Sequence, residues 1–508
     1  LAIVREPVPE TTKQIVAPEE HIAPSGLGGF IAKFTVLKGA QRELWLTFLI
    51  KLLMISAYSV TNKTLILWLS SDLRFNDQAA GALVGWGWAS VMTVFTLLAG
   101  SLTDAIGLRR TFFLGVGICT IARGVMVFTT IPWLALAGGL LPLAIGEALS
   151  TPVLLSATRR YSTTLQRSIS FSVIYGIMNA GFLIGAPIFD YVRQSLGEQG
   201  HLSLFGLKIS SYQTLLLVAL GFEVLLFPVV YFLRRGAEAT DEGVKFSAEP
   251  VKYPTAAFWN RILLTGRDSA RDTVQLFKRL LGQSVFYRFL AFFVLIGFLK
   301  LIYVQMDYVF PKFAIRELGG GAPIGRLSMI NYLLIILFVP VTGALTQRFS
   351  AYRMVVVGGT ICAASVFIMA LPTAWFQDSA GSAIVQWFGH SYLGLEGGIH
   401  PYYIMTAIYI SIFSIGEALY SPRVYEYAAA IAPKGQEASY GAMSYLPLFI
   451  GKLLVGSTGF LLAAYCPEHG ERHSGMMWLI FALTASVAPI GLIVFRRYIQ
   501  VPEAGRQD

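Results

Sequence analysis

The chain has 508 residues, 55% of them hydrophobic and only 13% charged, against roughly 25% charged in soluble domains. That excludes an ordinary soluble globular domain and points to a polytopic membrane protein. The net charge of +10 calls for no nucleic acid, because orientation in a bilayer and anionic lipid account for it.

The first 43 residues are charged and proline-containing. They hold no apolar core followed by a small-residue cleavage site, so no signal peptide is expected and the first span is expected to insert uncleaved. Apolar runs of about 20 residues or more then recur, each long enough to cross the hydrocarbon as a helix. Twelve lie near 44–70, 79–103, 111–131, 133–158, 168–192, 210–233, 286–311, 324–346, 353–373, 403–430, 437–464 and 475–496. Lipid offers the backbone no partners, and uninterrupted runs exclude the alternation of barrel strands, so the fold class is all-α.

The expected division is a segment at 1–43, a six-helix bundle at 44–234, a linker at 235–284, a second bundle at 285–499 with an insertion at 374–401, and a tail at 500–508. Within the linker, Phe258, Ile262, Leu263, Val274, Phe277 and Leu281 predict an amphipathic helix on the membrane surface or on the helical ends. Cationic residues set the orientation. A cytoplasmic N-terminus gives inner loops with Arg109-Arg110, Arg159-Arg160, Arg167, Arg234-Arg235, Arg348, Arg353, Lys434 and Arg496-Arg497, and poorer outer loops. Both termini are therefore expected in the cytoplasm of a plasma or inner membrane.

Cys119, Cys362 and Cys466 have no pair spacing and read as packing residues. Asn62-Lys63-Thr64 matches a glycosylation sequon but lies inside the first span. The six histidines form no metal spacing within a span, and no dinucleotide loop, Walker sequence or nucleophile elbow is complete. No enzyme, metal or cofactor is expected.

The chain repeats itself. "GEALSTP" at 146–152 returns as "GEALYSP" at 416–422, an offset of 270 that also relates Tyr175 to Tyr445 and Gly181 to Gly451. Gly100 to Arg110 returns as Gly343 to Arg353 at an offset of 243, and the 27-residue difference places an insertion where 374–401 lies. Two parallel six-helix halves are a transporter architecture, with the substrate bound between halves that rock.

An ionisable side chain inside a span costs about 2.5–3.5 kcal/mol on insertion scales, so each needs a partner or a wet cavity. Glu147 and Glu417 occupy equivalent points of spans 4 and 10 and are proton-coupling candidates, with Asp307 in span 7. Pro152 and Pro422 each free the carbonyl four residues back and predict a kink beside the glutamate. The alternative is a packing motif with the glutamate permanently bonded to a neighbouring helix. Lys300 and Asp307, with Tyr303 and Gln305, are expected to form one charged face, unless Asp307 already lies at the outer interface. Tyr58, Asn62 and Lys63 form a polar stripe on span 1, whereas Lys51 reads as a snorkelling anchor. Arg123 wants a carboxylate, and Glu147 is the natural partner, in an inert structural pair or a functional one. Asn179, Asn331, Glu223, Arg423 and Glu426 complete the polar set, while Tyr175 and Tyr445 read as core aromatics.

"GSLTDAIGLRR" at 100–110 resembles the span 2–3 loop signature of the major facilitator superfamily in Gly100, Asp104, Gly107, Arg109 and Arg110, and the second copy keeps Gly343 and Arg353. Asp104 at a helix end can pair with basic residues and latch one conformation, with Gly100 and Gly107 allowing close approach and a tight turn. Within that superfamily the chain resembles the proton-dependent oligopeptide transporters. The resemblance rests on "GEALSTP", on "SFSVIYGIMNAG" at 170–181, on "INYLLIILFVP" at 330–340 and on "GEALYSP". Their first-span Glu-x-x-Glu-Arg cluster is replaced by Lys51-Leu52-Leu53-Met54-Ile55, and spans 3 to 5 contain no lysine. The resemblance implies a proton-coupled secondary transporter for a small polar solute such as a peptide or amino-acid-like compound. The competing reading is a non-transporting scaffold or subunit that meets a protein partner through 1–43 or 374–401.

Overall fold

The computed structural model describes residues 35–204, 206–240, 243–246, 253, 255–346, 348–431 and 446–500. Lys434, Tyr445, most of the 1–43 segment and nearly all of the tail lie outside them, as does the side chain of Asp104, and Gly100 is described only as part of a helix. The chain is a multi-pass integral membrane protein, and its described residues hold twelve helices long and apolar enough to cross a membrane. They are Arg42–Ser71, Asp77–Thr96, Leu108–Phe128, Pro132–Arg160, Thr164–Leu196, Ser211–Tyr231, Ser284–Tyr308, Ile324–Gly343, Ala351–Ala370, Pro401–Tyr427, Leu446–Tyr465 and Ser474–Val494, and are called spans 1 to 12. An even number of crossings puts both ends of the spanning region on one side, the termini end, opposite a far end.

The packing repeats with the sequence. Span 1 lies along spans 5 and 6, span 3 along spans 4 and 6, and span 2 along span 4. The second half copies this, with span 7 along 11 and 12, span 9 along 10 and 12, and span 8 along 10. Between the halves, span 5 packs on span 8 and span 2 on span 11, two contacts that exchange when the halves are exchanged.

The repeated heptapeptide has its structural reason in this duplication. A Cβ at Gly146 would lie 2.5 Å from the Cys119 sulfur, and one at Gly416 would lie 2.6 Å from the Cys362 sulfur. Each glycine therefore lets span 4 or 10 touch span 3 or 9 at matched positions, and the two cysteines, free and buried, are the packing residues expected. Pro152 and Pro422 both lie inside continuous helices. The carbonyl freed by Pro422, that of Ala418, accepts a hydrogen bond of 3.1 Å from the Thr342 hydroxyl of span 8.

Beyond the spans, the linker begins with a hairpin pairing Ala237–Thr240 with Gly243–Phe246, which hydrophobic periodicity did not signal. The amphipathic helix follows at Phe258–Leu281 and packs against span 2. A second hairpin joins His201–Leu204 to Leu207–Ser210 ahead of span 6. Ser210 and Gln213 then form a reciprocal capping box, as Thr163 and Gln166 do for span 5.

Candidate functional site

Between the halves lies a cavity of about 260 Å³, lined by spans 1 to 7, 10 and 11. Its charged lining brings together residues far apart in sequence, including Arg123, Glu147, Glu223, Lys300, Glu417 and Lys452.

The first-half wall is built on Arg123. Its Nη2 donates to Glu147 Oε1 at 2.9 Å, its Nη1 to Glu223 Oε1 at 2.7 Å, and its Nε to the Thr61 hydroxyl at 3.2 Å. The Arg123–Glu147 pair is as expected, and Glu223 of span 6 turns it into a triad. Two carboxylates share one guanidinium, so the fully ionised triad carries a net negative charge. Glu147 Oε2 accepts no hydrogen bond among the described residues, which leaves it available to a proton.

The second-half wall is differently made. Among the described residues Glu417 has no arginine partner and instead accepts from Asn331 Nδ2 at 3.0 Å, while the same amide donates to the Ser414 hydroxyl at 3.0 Å. The two glutamates thus share a place in the fold but differ in environment.

Lys300, Tyr303 and Asp307 line the cavity together, but the carboxylate of Asp307 is paired with a cation of the other half. Asp307 is buried and binds Lys63 of span 1 at 2.6 Å, and Lys63 also reaches the Ser328 hydroxyl at 3.3 Å. An Asp307 solvated at the outer interface is therefore corrected. Lys300 lies over the rings of Tyr303 and Tyr420, at 5.9 and 5.0 Å from their centroids. Seven residues of helix do align two Cα atoms, but a side chain on the other half competes for the carboxylate, and span 7 alone could not disclose that.

Tyr58, Asn62, Asn179 and Tyr303 line the cavity as expected, and Asn331 reaches its edge through Glu417. Gln305 does not line it; its amide is fully buried and has no hydrogen-bond partner among the described residues. Tyr175, read as a core aromatic, lines the cavity, and so does Lys51, read as an anchor. Lys452 was missed. It is the sole lysine of span 11, follows the glycine that marks the repeat, and could have been found by counting every ionisable residue within a span.

In the loop signature, Gly107 takes φ +87° between spans 2 and 3, the tight turn expected of it. Arg109 stacks its guanidinium over Phe113 and Tyr231, at 5.7 and 5.1 Å, and Arg110 is exposed.

The far end is closed by contacts between the halves. Asp77 of span 2 receives Lys312 and Arg316, which follow span 7. Asp190 of span 5 accepts from the backbone N–H groups of Gly325 and Arg326 at 2.7 and 2.8 Å. Arg193 donates to the Ala322 carbonyl at 3.1 Å, and Glu198 accepts from the Gly321 N–H at 3.1 Å. Burial pulls the Lys312 ammonium below its ordinary value, against the opposing effect of Asp77. Burial raises the Glu198 carboxyl, but Arg193, Tyr212 and the Gly321 N–H outweigh it and bring the group below its ordinary value. All of these contacts lie beyond the cavity, whose lining runs the other way, through Leu154, Tyr175 and Tyr425 toward the termini end.

The family profile described as Major Facilitator Superfamily matches residues 47–399. No curated protein matches the chain. A solved POT family transporter in complex with 5-aminolevulinic acid superposes with a TM-score of 0.66 at 15% identity, over 91% of this chain and 97% of that one. A structure described under substrate recognition in proton-dependent oligopeptide transporters gives a TM-score of 0.63 at 18% identity, over 89% and 97%. A peptide transporter POT in complex with sulfate gives 0.66 at 13% identity, over 92% and 98%. At these identities the likeness is one of fold.

Proposed function

The chain belongs to the major facilitator superfamily of transporters, and on that premise we propose that it is a proton-coupled secondary transporter carrying a small polar solute, peptide- or amino-acid-like, by alternating access. The observation that carries this is the asymmetry of the cavity, closed at the far end by Asp77, Asp190 and Glu198 and extending toward the termini end. With both termini in the cytoplasm, as the basic loops suggest, this is an inward-facing state. The solved neighbours bound to 5-aminolevulinic acid and described as oligopeptide transporters support the solute class by likeness of fold.

The two halves, 44–234 and 285–499, would be the rocking bodies. Opening the far end requires breaking Lys63–Asp307, which ties span 1 to span 7. Neutralising the Asp307 carboxylate would leave the Lys63 ammonium without its counter-charge and release the halves. Glu147, with one free carboxylate oxygen, and Glu417, with an amide instead of a cation beside it, are the other two proton sites. Lys63 therefore acts in the gate, and Tyr58, Asn62 and Asn179 face the solute.

Uptake of labelled alanyl-alanine and 5-aminolevulinic acid into proteoliposomes, with and without an inward proton gradient, tests this. Gradient-driven accumulation is expected, and Glu417→Gln should exchange solute but lose accumulation. Flux insensitive to the gradient in both proteins removes the coupling. Absence of flux for both solutes, with a partner co-purifying at fixed stoichiometry, favours the scaffold.

A further inference from the structure

The cavity is surrounded by more positive charge than its own carboxylates balance. Arg123 is spent on Glu147 and Glu223, and Lys63 on Asp307. Lys51, Lys300 and Lys452 also line the cavity, and none has an ion-pair partner within 4.0 Å among the described residues. Among the described residues, Glu417 is the one lining carboxylate without a cation at that distance. Four cations and four carboxylates line the cavity, and Lys63, outside the lining and bound to Asp307, adds a fifth positive charge, an excess of one that grows by one with every proton a carboxylate takes up.

Lys300 and Lys452 are placed to work together. Gly451, beside Lys452, packs on the backbone of span 7, where an added Cβ would lie 3.1 Å from both the carbonyl carbon and the Cβ of Lys300. The two lysines thus leave neighbouring helices at the same depth. Each ammonium has an aromatic surround in place of a carboxylate. Lys452 lies 4.2 Å from the Trp88 ring and 5.8 Å from that of Tyr58, whose hydroxyl it also reaches at 3.3 Å. Lys300 lies over Tyr303 and Tyr420. Aromatic faces favour the charged form of an ammonium and orient it without neutralising it. A charge held in that way in a confined cavity is satisfied by an anion brought from outside, since leaving it unpaired is expensive.

We infer that the transported solute is acidic, with a net negative charge, and that one of its anionic groups is held between Lys300 and Lys452. The inference rests on the transporter reading and narrows its solute class. The cavity volume lies just below the roughly 300–1,000 Å³ of drug-sized sites, which suits an acidic dipeptide or a smaller dicarboxylate. Proton uptake at Glu147 or Glu417 raises the positive excess, so protons and an acidic solute favour each other's binding.

Binding is tested without any gradient, on the purified full-length protein in detergent, by thermal-shift titration at neutral pH. The probes are alanyl-glutamate, succinate, alanyl-alanine and alanyl-lysine. At least one of the two acidic probes is expected to bind tenfold or more tighter than alanyl-alanine, and alanyl-lysine weakest. Lys300→Gln and Lys452→Gln should each erase that preference, and Lys300→Arg and Lys452→Arg should restore most of it, which separates lost charge from misfolding. Equal binding of acidic and neutral probes, binding of neither acidic probe, or a preference unchanged in both glutamine variants overturns the inference. Proton-driven uptake of neutral solutes alone would sink it while leaving the transporter reading intact. Acid-selective binding without gradient-driven flux would do the reverse.

Discussion

The Lys63–Asp307 pair gives the sharpest quantitative expectation. The Lys63 side chain is fully buried, its ammonium 2.6 Å from Asp307 and 3.3 Å from the Ser328 hydroxyl. Removing one partner of a buried pair strands the other charge, at a cost of about 3–5 kcal/mol. Asp307→Asn keeps an acceptor oxygen, so the lower figure applies. If the pair forms only when the far end is closed, about 3 kcal/mol shifts the closed-to-open ratio by roughly 150-fold, at 1.4 kcal/mol per factor of ten. Lys63→Gln combined with Asp307→Asn leaves no charge stranded and should return to within about 1 kcal/mol of the wild type. The readout is the labelling rate, by a membrane-impermeant maleimide, of a cysteine at Ala186, which is fully buried where spans 5 and 8 cross. Cys119 lines the cavity and is replaced by alanine in the reporter background, while Cys362 and Cys466 are buried outside it and should stay silent. Labelling should rise steeply in Asp307→Asn and fall back in the double variant. Single variants that change it less than tenfold, or effects that simply add, would refute the gate.

Other expectations follow from packing and from groups outside the spans. Gly146→Ala and Gly416→Ala should each lower thermal stability by about 1–3 kcal/mol through overpacking. Cys119→Ala should rescue the first, whose worst clash is the sulfur, but Cys362→Ala should not rescue the second, because the Gly358 carbonyl remains 2.7 Å away; equal rescue in calorimetry would contradict this. Thr342→Val removes the donor to the Ala418 carbonyl and should cost about 1–2 kcal/mol, an effect that Pro422→Ala, by restoring an N–H to that carbonyl, should abolish. Asp72, just after span 1, is raised by burial from 3.8 to about 6, against the lowering effects of Ser210 and His201. The native carboxyl holds its proton more tightly than the unfolded one, so stability falls as pH rises from about 4 and levels off above 6. The full displacement is worth about 3 kcal/mol, reduced by solvent screening to about 1–2 kcal/mol. Asp72→Asn should therefore raise the melting temperature at pH 8 and leave it nearly unchanged at pH 4; a gain of equal size at both would refute the burial argument.

What the sequence disclosed and what it withheld divide along physical lines. Apolar run length depends on the chain alone, so the twelve spans were legible, as was the duplication, which left matched glycines on spans 4 and 10 and matched cysteines on spans 3 and 9. The amphipathic linker helix was legible for the same reason, since its apolar face follows from spacing. Charge pairing was legible only where few partners were on offer: Arg123 is buried in a first half with few carboxylates inside its spans, and Glu147 was the natural match. Asp307 shows the opposite case. On its own helix it faces Lys300, yet its partner is Lys63, 244 residues earlier. That pairing belongs to the arrangement of the halves, which no local pattern encodes.

The same reasoning explains why Glu147 and Glu417, identical in motif, differ in environment. Duplication copied the glycine, the glutamate and the proline, because together they fix how one helix packs on the next. It did not keep what each glutamate faces. The first half answers its copy with Arg123, and the position 243 residues later, the offset that relates span 3 to span 9, is Val366. In place of a guanidinium, Glu417 has the Asn331 amide beside it and shares the cavity lining with Lys300, an arrangement in which, on the proposed function, proton, lysine and solute would exchange partners. The asymmetry of charge on a symmetric scaffold is thus what would let one half hold its carboxylate in a fixed network while the other responds to the gradient.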